Sequence, residues 1–168
     1  LGEIFPPEDS LDLIQRNIIQ ANAEIEIAII KLPRISNFSD LDPLFNDATV
    51  QLKWIETVQE IGKPDVLIIP GSKQTIKDLE WLNKTGLSKK IKDYISNGGN
   101  IFGICGGLQM LGIKLEDPYK NESNQEGTLE AVDGLKLLPI KTKFGPRKHT
   151  SQIEEIALWP AKEKVKGF

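Results

Sequence analysis

Gly98-Gly-Asn-Ile-Phe-Gly-Ile-Cys105-Gly-Gly-Leu-Gln-Met-Leu-Gly112 is the stretch that decides how this chain folds. Asn97-Gly98-Gly99 turns the chain into a short apolar strand over residues 100–104. That strand runs without a break into Cys105, and an apolar helical run over residues 106–111 follows at once. A side chain held on such a strand-to-helix turn is strained and presented outward, which is how a nucleophile is displayed. The positive end of the helix favours an anionic sulfur, and its unpaired N–H groups can receive a developing oxyanion. A cysteine that only filled a core would have no need of Gly103, Gly106 and Gly107 around it, because a plain core position tolerates larger residues.

A second stretch has the same form. Pro64-Asp-Val-Leu-Ile-Ile-Pro-Gly71-Ser72-Lys73-Gln74-Thr75 is an apolar run of the kind buried in a parallel sheet, stopped by a sharp turn ahead of a helix. Ligands gather outside the carboxyl ends of parallel strands. Gly71-Ser72 and Cys105 both fall at such ends. If the two strands are neighbours, backbone N–H groups at Gly71 or Ser72 and at Gly106 can converge on one carbonyl oxygen, the geometry of acyl transfer. Taken alone, Gly71-Ser72 is more simply a tight turn with Ser72 or Thr75 capping the helix.

Outward from these two segments the chain alternates. Pro6-Pro7-Glu8-Asp9-Ser10 leads into a helix whose apolar residues Leu11, Ile14, Ile18 and Ala21 recur at helical spacing. Residues 25–32 and 49–55 read as strands, the second more peripheral, with a polar loop over 33–47 between them. Helices are expected over 75–83 and 87–96, and late strands over 135–143 and 151–158, divided by Gly145-Pro146. The expected fold is a three-layer α/β domain, a mostly parallel sheet flanked by helices, with antiparallel strands toward the C-terminus.

Composition narrows the function. The 168 residues carry 21 basic and 24 acidic side chains, a net charge of −3, with 39% hydrophobic and 27% charged residues. This leaves no basic footprint for nucleic acid, and no apolar run long enough to span a membrane. We expect neither partner, and a cytoplasmic location. One cysteine and one histidine exclude a disulfide framework and argue against a structural zinc site. Within the chain, Cys–His chemistry has one pair to draw on, Cys105 and His149, but Lys148-His149-Thr150 reads as a basic turn between strands. Lys73 lacks the upstream glycine of a phosphate-binding loop, so no bound nucleotide is expected. Asp40, Asp42 and Asp47 read as turn-forming aspartates rather than a metal cluster, and Trp54, Trp81 and Trp159 as packing residues.

Together, Pro70-Gly71-Ser72 and Gly103-Ile-Cys-Gly-Gly-Leu-Gln-Met-Leu-Gly112 resemble the class I (triad-type) glutamine amidotransferase domain, a flavodoxin-like fold. Leu32-Pro-Arg-Ile-Ser-Asn-Phe-Ser-Asp40, Lys73-Gln-Thr-Ile-Lys-Asp-Leu-Glu-Trp-Leu82 and Gly134-Leu-Lys-Leu-Leu-Pro139 are similar to its corrinoid-amidating branch. The resemblance covers residues 25–168, with residues 1–24 similar to the segment that enters from an upstream synthetase domain. It implies glutamine hydrolysis through a cysteinyl thioester. Cys105 would be the nucleophile, Gly71 and Gly106 the oxyanion hole, and Ser72 and Gln109 glutamine contacts. The ammonia would pass to an ATP-dependent synthetase domain of the same polypeptide that amidates adenosylcobyrinic acid a,c-diamide in cobalamin biosynthesis. No cofactor or metal is implied for this domain; ATP and magnesium would belong to the synthetase domain.

The chain also departs from the family. There the general base is a histidine after a glycine-aromatic-Glu-Ile-His stretch, and this sequence ends at Val165-Lys-Gly-Phe168, where that stretch would begin. The expectation is therefore a domain cut short before its second catalytic residue, with little glutaminase activity by itself. Two other readings stand beside it. One is a related amidotransferase with another acceptor, cobyrinate a,c-diamide or a cell-wall precursor; the other is an amidotransferase-like scaffold without catalysis.

Overall fold

The computed structural model describes residues 23–122, 131–147, 151–158 and 162–167. The N-terminal helix read over residues 11–23, His149 and Trp159 therefore lie outside the described residues, save Ala23. Four strands form the central sheet: β1 (Ile25–Ile30), β2 (Val50–Ile55), β3 (Val66–Ile69) and β4 (Asn100–Gly103). Their order is β2-β1-β3-β4, and all three pairings are parallel. β2 and β4 are the edges of this described sheet, and the edge position of β2 is in keeping with its weaker apolar pattern. The chain steps from β1 to one side and then crosses to the other, so a topological switch falls between β1 and β3.

The two inner strands are apolar because both of their faces meet protein. Ala28, Ile29 and Ile30 of β1, and Leu67 and Ile69 of β3, are completely buried. Between β1 and β2 lie a 3-10 turn (Phe38–Leu41) and the short helix α1 (Asp42–Phe45). Phe38 and Phe45 bring their rings to within 6.2 and 6.3 Å of Trp54 on β2, which packs that face at the sheet's edge. Helices α2 (Thr75–Lys84) and α3 (Leu87–Ser96) follow β3. Their buried residues, Ile76, Leu79, Leu82, Leu87 and Ile91, recur at the three- and four-residue spacing of one helix face. Gly86, at φ 80°, joins them in a left-handed conformation that other residues resist.

Helix α4 (Gly106–Met110) follows β4, and a second, mixed sheet is built from β5 (Lys114–Glu116), β6 (Ala131–Asp133) and β7 (Lys141–Lys143) in the order β6-β5-β7. β8 (Ile153–Ala157) and β9 (Glu163–Gly167) form an antiparallel hairpin. The strands β5, β6 and β9 were not expected, and one expected strand is shorter: of residues 135–143, only 141–143 are a strand. The amides of Leu135, Leu137 and Leu138 donate instead to the carbonyls of Met110 and Leu111, and that of Lys136 to Gly112. These carbonyls end α4 and have no partner within it, so an apolar segment is drawn into capping a helix rather than extending a ladder. Lys136, at φ 60°, marks the break.

The amino ends of β3 and β4 are tied by one phenol. Tyr94 accepts from the Asn100 amide at 3.1 Å and its hydroxyl lies 3.0 Å from the Pro64 carbonyl. Burial raises its pKa above the ordinary tyrosine value, which keeps the donating proton in place. Tyr94→Phe is expected to cost about 1 kcal/mol, measured as a lowered urea midpoint with an unchanged slope.

Candidate active site

Cys105 stands at the turn between β4 and α4 with φ 48° and ψ −108°, and its side chain is exposed. A non-glycine residue in that region carries on the order of 1–3 kcal/mol of strain, which the surrounding structure must hold. Hydrogen bonds on either side hold it: Ile104 N–H donates to the Ile69 carbonyl at 3.0 Å, and Gly107 N–H to the Ile104 carbonyl at 2.8 Å. The strain is thus borne by the cysteine, and the neighbouring glycines serve another purpose. A Cβ on Gly107 would lie 2.0 Å from the Ile69 carbonyl oxygen, and one on Gly103 would lie 2.6 Å from the Leu108 nitrogen. They are absences of side chain that let the start of α4 rest on the end of β3.

That close approach unites the sites read separately from sequence. β3 and β4 are neighbours, with Ile69 opposite Gly103, so the turn after Ile69 lies beside Cys105. A Cβ on Gly71 would be 3.9 Å from the Cys105 Cβ, and one on Gly106 would be 3.1 Å from the Ser72 nitrogen. As the first residue of α4, Gly106 has no intrahelical acceptor for its N–H. Gln109 lies one helical turn beyond Cys105, its N–H donating to the Cys105 carbonyl at 3.1 Å, and so shares the cysteine's face. The Ser72 hydroxyl turns the other way, donating to Asp78 Oδ2 at 2.6 Å and accepting from the Gln74 amide at 3.0 Å. Away from this end of the sheet, Asp47 accepts from the Thr49 amide and hydroxyl at 2.9 and 2.7 Å, which lowers its pKa and makes it a turn former.

Three residues at this end were not singled out from the sequence. Asp78 on α2 is completely buried and receives the Arg34 guanidinium at 2.9 Å. Arg34 lies on the loop after β1, so the pair joins two segments 44 residues apart. Glu122 reaches back from beyond β5 to accept the Thr75 N–H at the start of α2, in place of the local cap expected from Ser72 or Thr75. Thr75 in turn lies 3.5 Å from Gln109 Oε1 and close to Gly106, so Glu122 belongs to the same neighbourhood as Cys105. Its half-buried carboxyl is held above the ordinary glutamate range by desolvation, against the pull of the Thr75 amide. Sequence separations of this size leave no local pattern from which to find them.

Residues 26–168 match the CobB/CobQ-like glutamine amidotransferase domain family. The chain belongs to that family. Relatives include the cobyric acid synthases of Prochlorococcus marinus strains NATL1A and NATL2A, each 67% identical over the whole of this chain. A third, from strain MIT 9301, is 52% identical over the same span. The amidotransferase domain described here spans about a third of these relatives' length, 34% of the first and 33% of the others. Among solved structures, a glutamine amidotransferase aligns with a TM-score of 0.55 at 16% identity, covering 77% of this chain and 62% of its own. A peptidase E protein from Listeria monocytogenes EGD-e aligns with a TM-score of 0.54 at 16% identity, covering 78% of this chain and 69% of its own. The expected α/β fold, a mostly parallel sheet with flanking helices, is the one these neighbours share. No described helix is long and apolar enough to cross a membrane.

Gly107→Ala is expected to destabilise the domain by about 2–3 kcal/mol, because the obstacle is backbone and cannot rotate aside; chemical denaturation measures it. Glu122 binds its proton more tightly folded than unfolded, so its ionisation costs stability as pH rises from 4.5 through the higher folded value. Glu122→Gln should therefore lose part of that decline, seen as a smaller fall in thermal midpoint between acidic and neutral pH.

Proposed function

We propose that this domain hydrolyses glutamine through Cys105 and supplies the ammonia to an ATP-dependent synthetase domain of the same polypeptide. The acceptor in this reading is adenosylcobyrinic acid a,c-diamide, and the whole protein is a cobyric acid synthase of cobalamin biosynthesis. The observation that carries the reading is the position of Cys105, at a positive φ beside the Gly71-Ser72 turn and at the head of α4. The name shared by the relatives supports the choice of acceptor.

The chemistry follows from the placement of the groups. The Cys105 thiolate adds to the side-chain carboxamide carbon of glutamine, and the carbonyl π electrons move onto oxygen. Amides at the Gly71-Ser72 turn and at Gly106 receive that oxyanion. Collapse of the adduct expels the amine, which takes up a proton and leaves as ammonia, and a thioester remains on Cys105. Water then cleaves the thioester to glutamate and free thiol. Both proton transfers require a general acid–base group. Gln109, on the cysteine's face of α4, contacts the bound glutamine, and Ser72 contributes through its backbone.

Glutamine is a zwitterion at its other end. A cavity of about 420 Å³ is lined by Asn121, Glu122, Phe144, Gly145, Pro146 and Arg147. In this reading Glu122 receives the α-ammonium and Arg147 the α-carboxylate, a pairing of charges that also offsets the cost of leaving Glu122 ionised. ATP and magnesium act at the synthetase domain, with no cofactor assigned to this one.

In the full-length polypeptide, Cys105→Ala is expected to abolish glutamine-dependent amidation while ammonium salts still support it. The measurement is amidated product formed with each nitrogen source. Persistent use of glutamine by this variant would remove Cys105 from the mechanism.

A further inference from the structure

The buried carboxylate of Asp78 is not needed for the chemistry above, yet both its oxygens are engaged. Oδ1 accepts from Arg34 Nη1 at 2.9 Å and Oδ2 from the Ser72 hydroxyl at 2.6 Å, with Asp78 itself completely buried. A charge in that position is retained only when it is paired and hydrogen-bonded. The Ser72 hydroxyl is likewise engaged on both counts, donating its proton to Asp78 and accepting from the Gln74 amide. The Arg34 segment grips the same turn a second time through its backbone. Lys73 N–H donates to the Arg34 carbonyl at 2.8 Å, and Ser36 N–H to the Gly71 carbonyl at 3.0 Å, around a bridge between Ile35 and Ser72.

These contacts set the direction of an amide. In a trans peptide the C=O and N–H point to opposite sides. The Gly71–Ser72 peptide has its carbonyl anchored to Ser36, so the Ser72 N–H is aimed away from that loop. Gly106 lies close on that nitrogen, with its Cβ position 3.1 Å away. The side-chain link from Ser72 through Asp78 to Arg34 holds the same residue from behind.

We propose that Arg34 and Asp78 are positioning residues, which hold the Gly71-Ser72 turn through the Ser72 hydroxyl so that its amides face the oxyanion. This deepens, and rests on, the reading of the site as a glutaminase. Neither residue touches glutamine. Their effect falls on the step that places charge on the carbonyl oxygen, so it reduces kcat and leaves KM for glutamine nearly unchanged. Loss of one oxyanion donor costs roughly 10²–10³ in rate, and a misaimed donor costs part of that.

The test uses Arg34→Met, Arg34→Lys and Ser72→Ala in the full-length polypeptide, with two reagents for Cys105. A glutamine-analogue chloroketone presents its carbonyl oxygen to the oxyanion amides. Iodoacetamide alkylates the thiolate by displacing iodide and develops no oxyanion. Arg34→Met and Ser72→Ala are expected to lower kcat with glutamine by about ten- to a hundredfold and to slow the chloroketone in parallel. The iodoacetamide rate and KM are expected to stay within about twofold, and Arg34→Lys to restore part of kcat. Equal slowing of both reagents, or an unchanged kcat in Arg34→Met and Ser72→Ala, overturns the proposal alone. A wild-type protein that ignores glutamine and the chloroketone alike overturns the glutaminase reading and this proposal with it.

Discussion

A glycine α-carbon resting on a carbonyl oxygen sets the geometry of this domain. With a Cβ on Gly107 only 2.0 Å from Ile69 O, no other residue lets the start of α4 settle on the end of β3. Several features depend on that contact. It seats Gly106 beside the Ser72 amide and brings Gly71 toward Cys105. It also confines the backbone on both sides of the cysteine, through the Ile104 and Gly107 amides, so that Cys105 can occupy an unfavourable conformation. A packing constraint between two elements thereby becomes the strain and the exposure of one thiol.

Polar groups drawn from distant parts of the chain complete the arrangement. α2 starts at the site, and its first turn is satisfied by Glu122, which arrives from beyond β5. The same first turn carries Asp78, which fixes both the loop after β1 and the turn after β3. The two carboxylates differ in physical character. Asp78 has a guanidinium and a hydroxyl to satisfy it. Glu122 has an amide and a partly desolvated carboxyl whose proton is held more tightly, a group suited to receive a cation. The partners each carboxylate finds within the chain set that difference.

Much of this was legible in the residues. Continuous apolar runs marked β1 and β3 because inner parallel strands are buried on both faces, the Asn97-Gly98-Gly99 turn marked the start of β4, and helical spacing marked α2 and α3 within a residue at their ends. The strand-to-helix turn at Cys105 was legible because three glycines cluster around one cysteine, although the close approach they serve was not. The short strands β5, β6 and β9 were missed: three to five residues, largely charged, leave no alternation to detect. The stretch over residues 135–140 misled for the opposite reason. Its leucines are strand-like, but their amides are claimed by the end of α4.

Local chemistry alone therefore determined the class of fold, the cysteine turn and the Gly71-Ser72 turn, since each turn is written within about fifteen consecutive residues. Only the tertiary structure decided that the two turns face one another, that the glycines serve close approach rather than backbone freedom, and which polar groups hold them. Those outcomes rest on contacts between residues 30 to 50 positions apart. Arg34 and Asp78, separated by 44 positions, meet because the parallel crossover returns β1 and β3 to the same end of one sheet, whereas Thr75 and Glu122, separated by 47, meet through the segment that follows β5 of the second sheet.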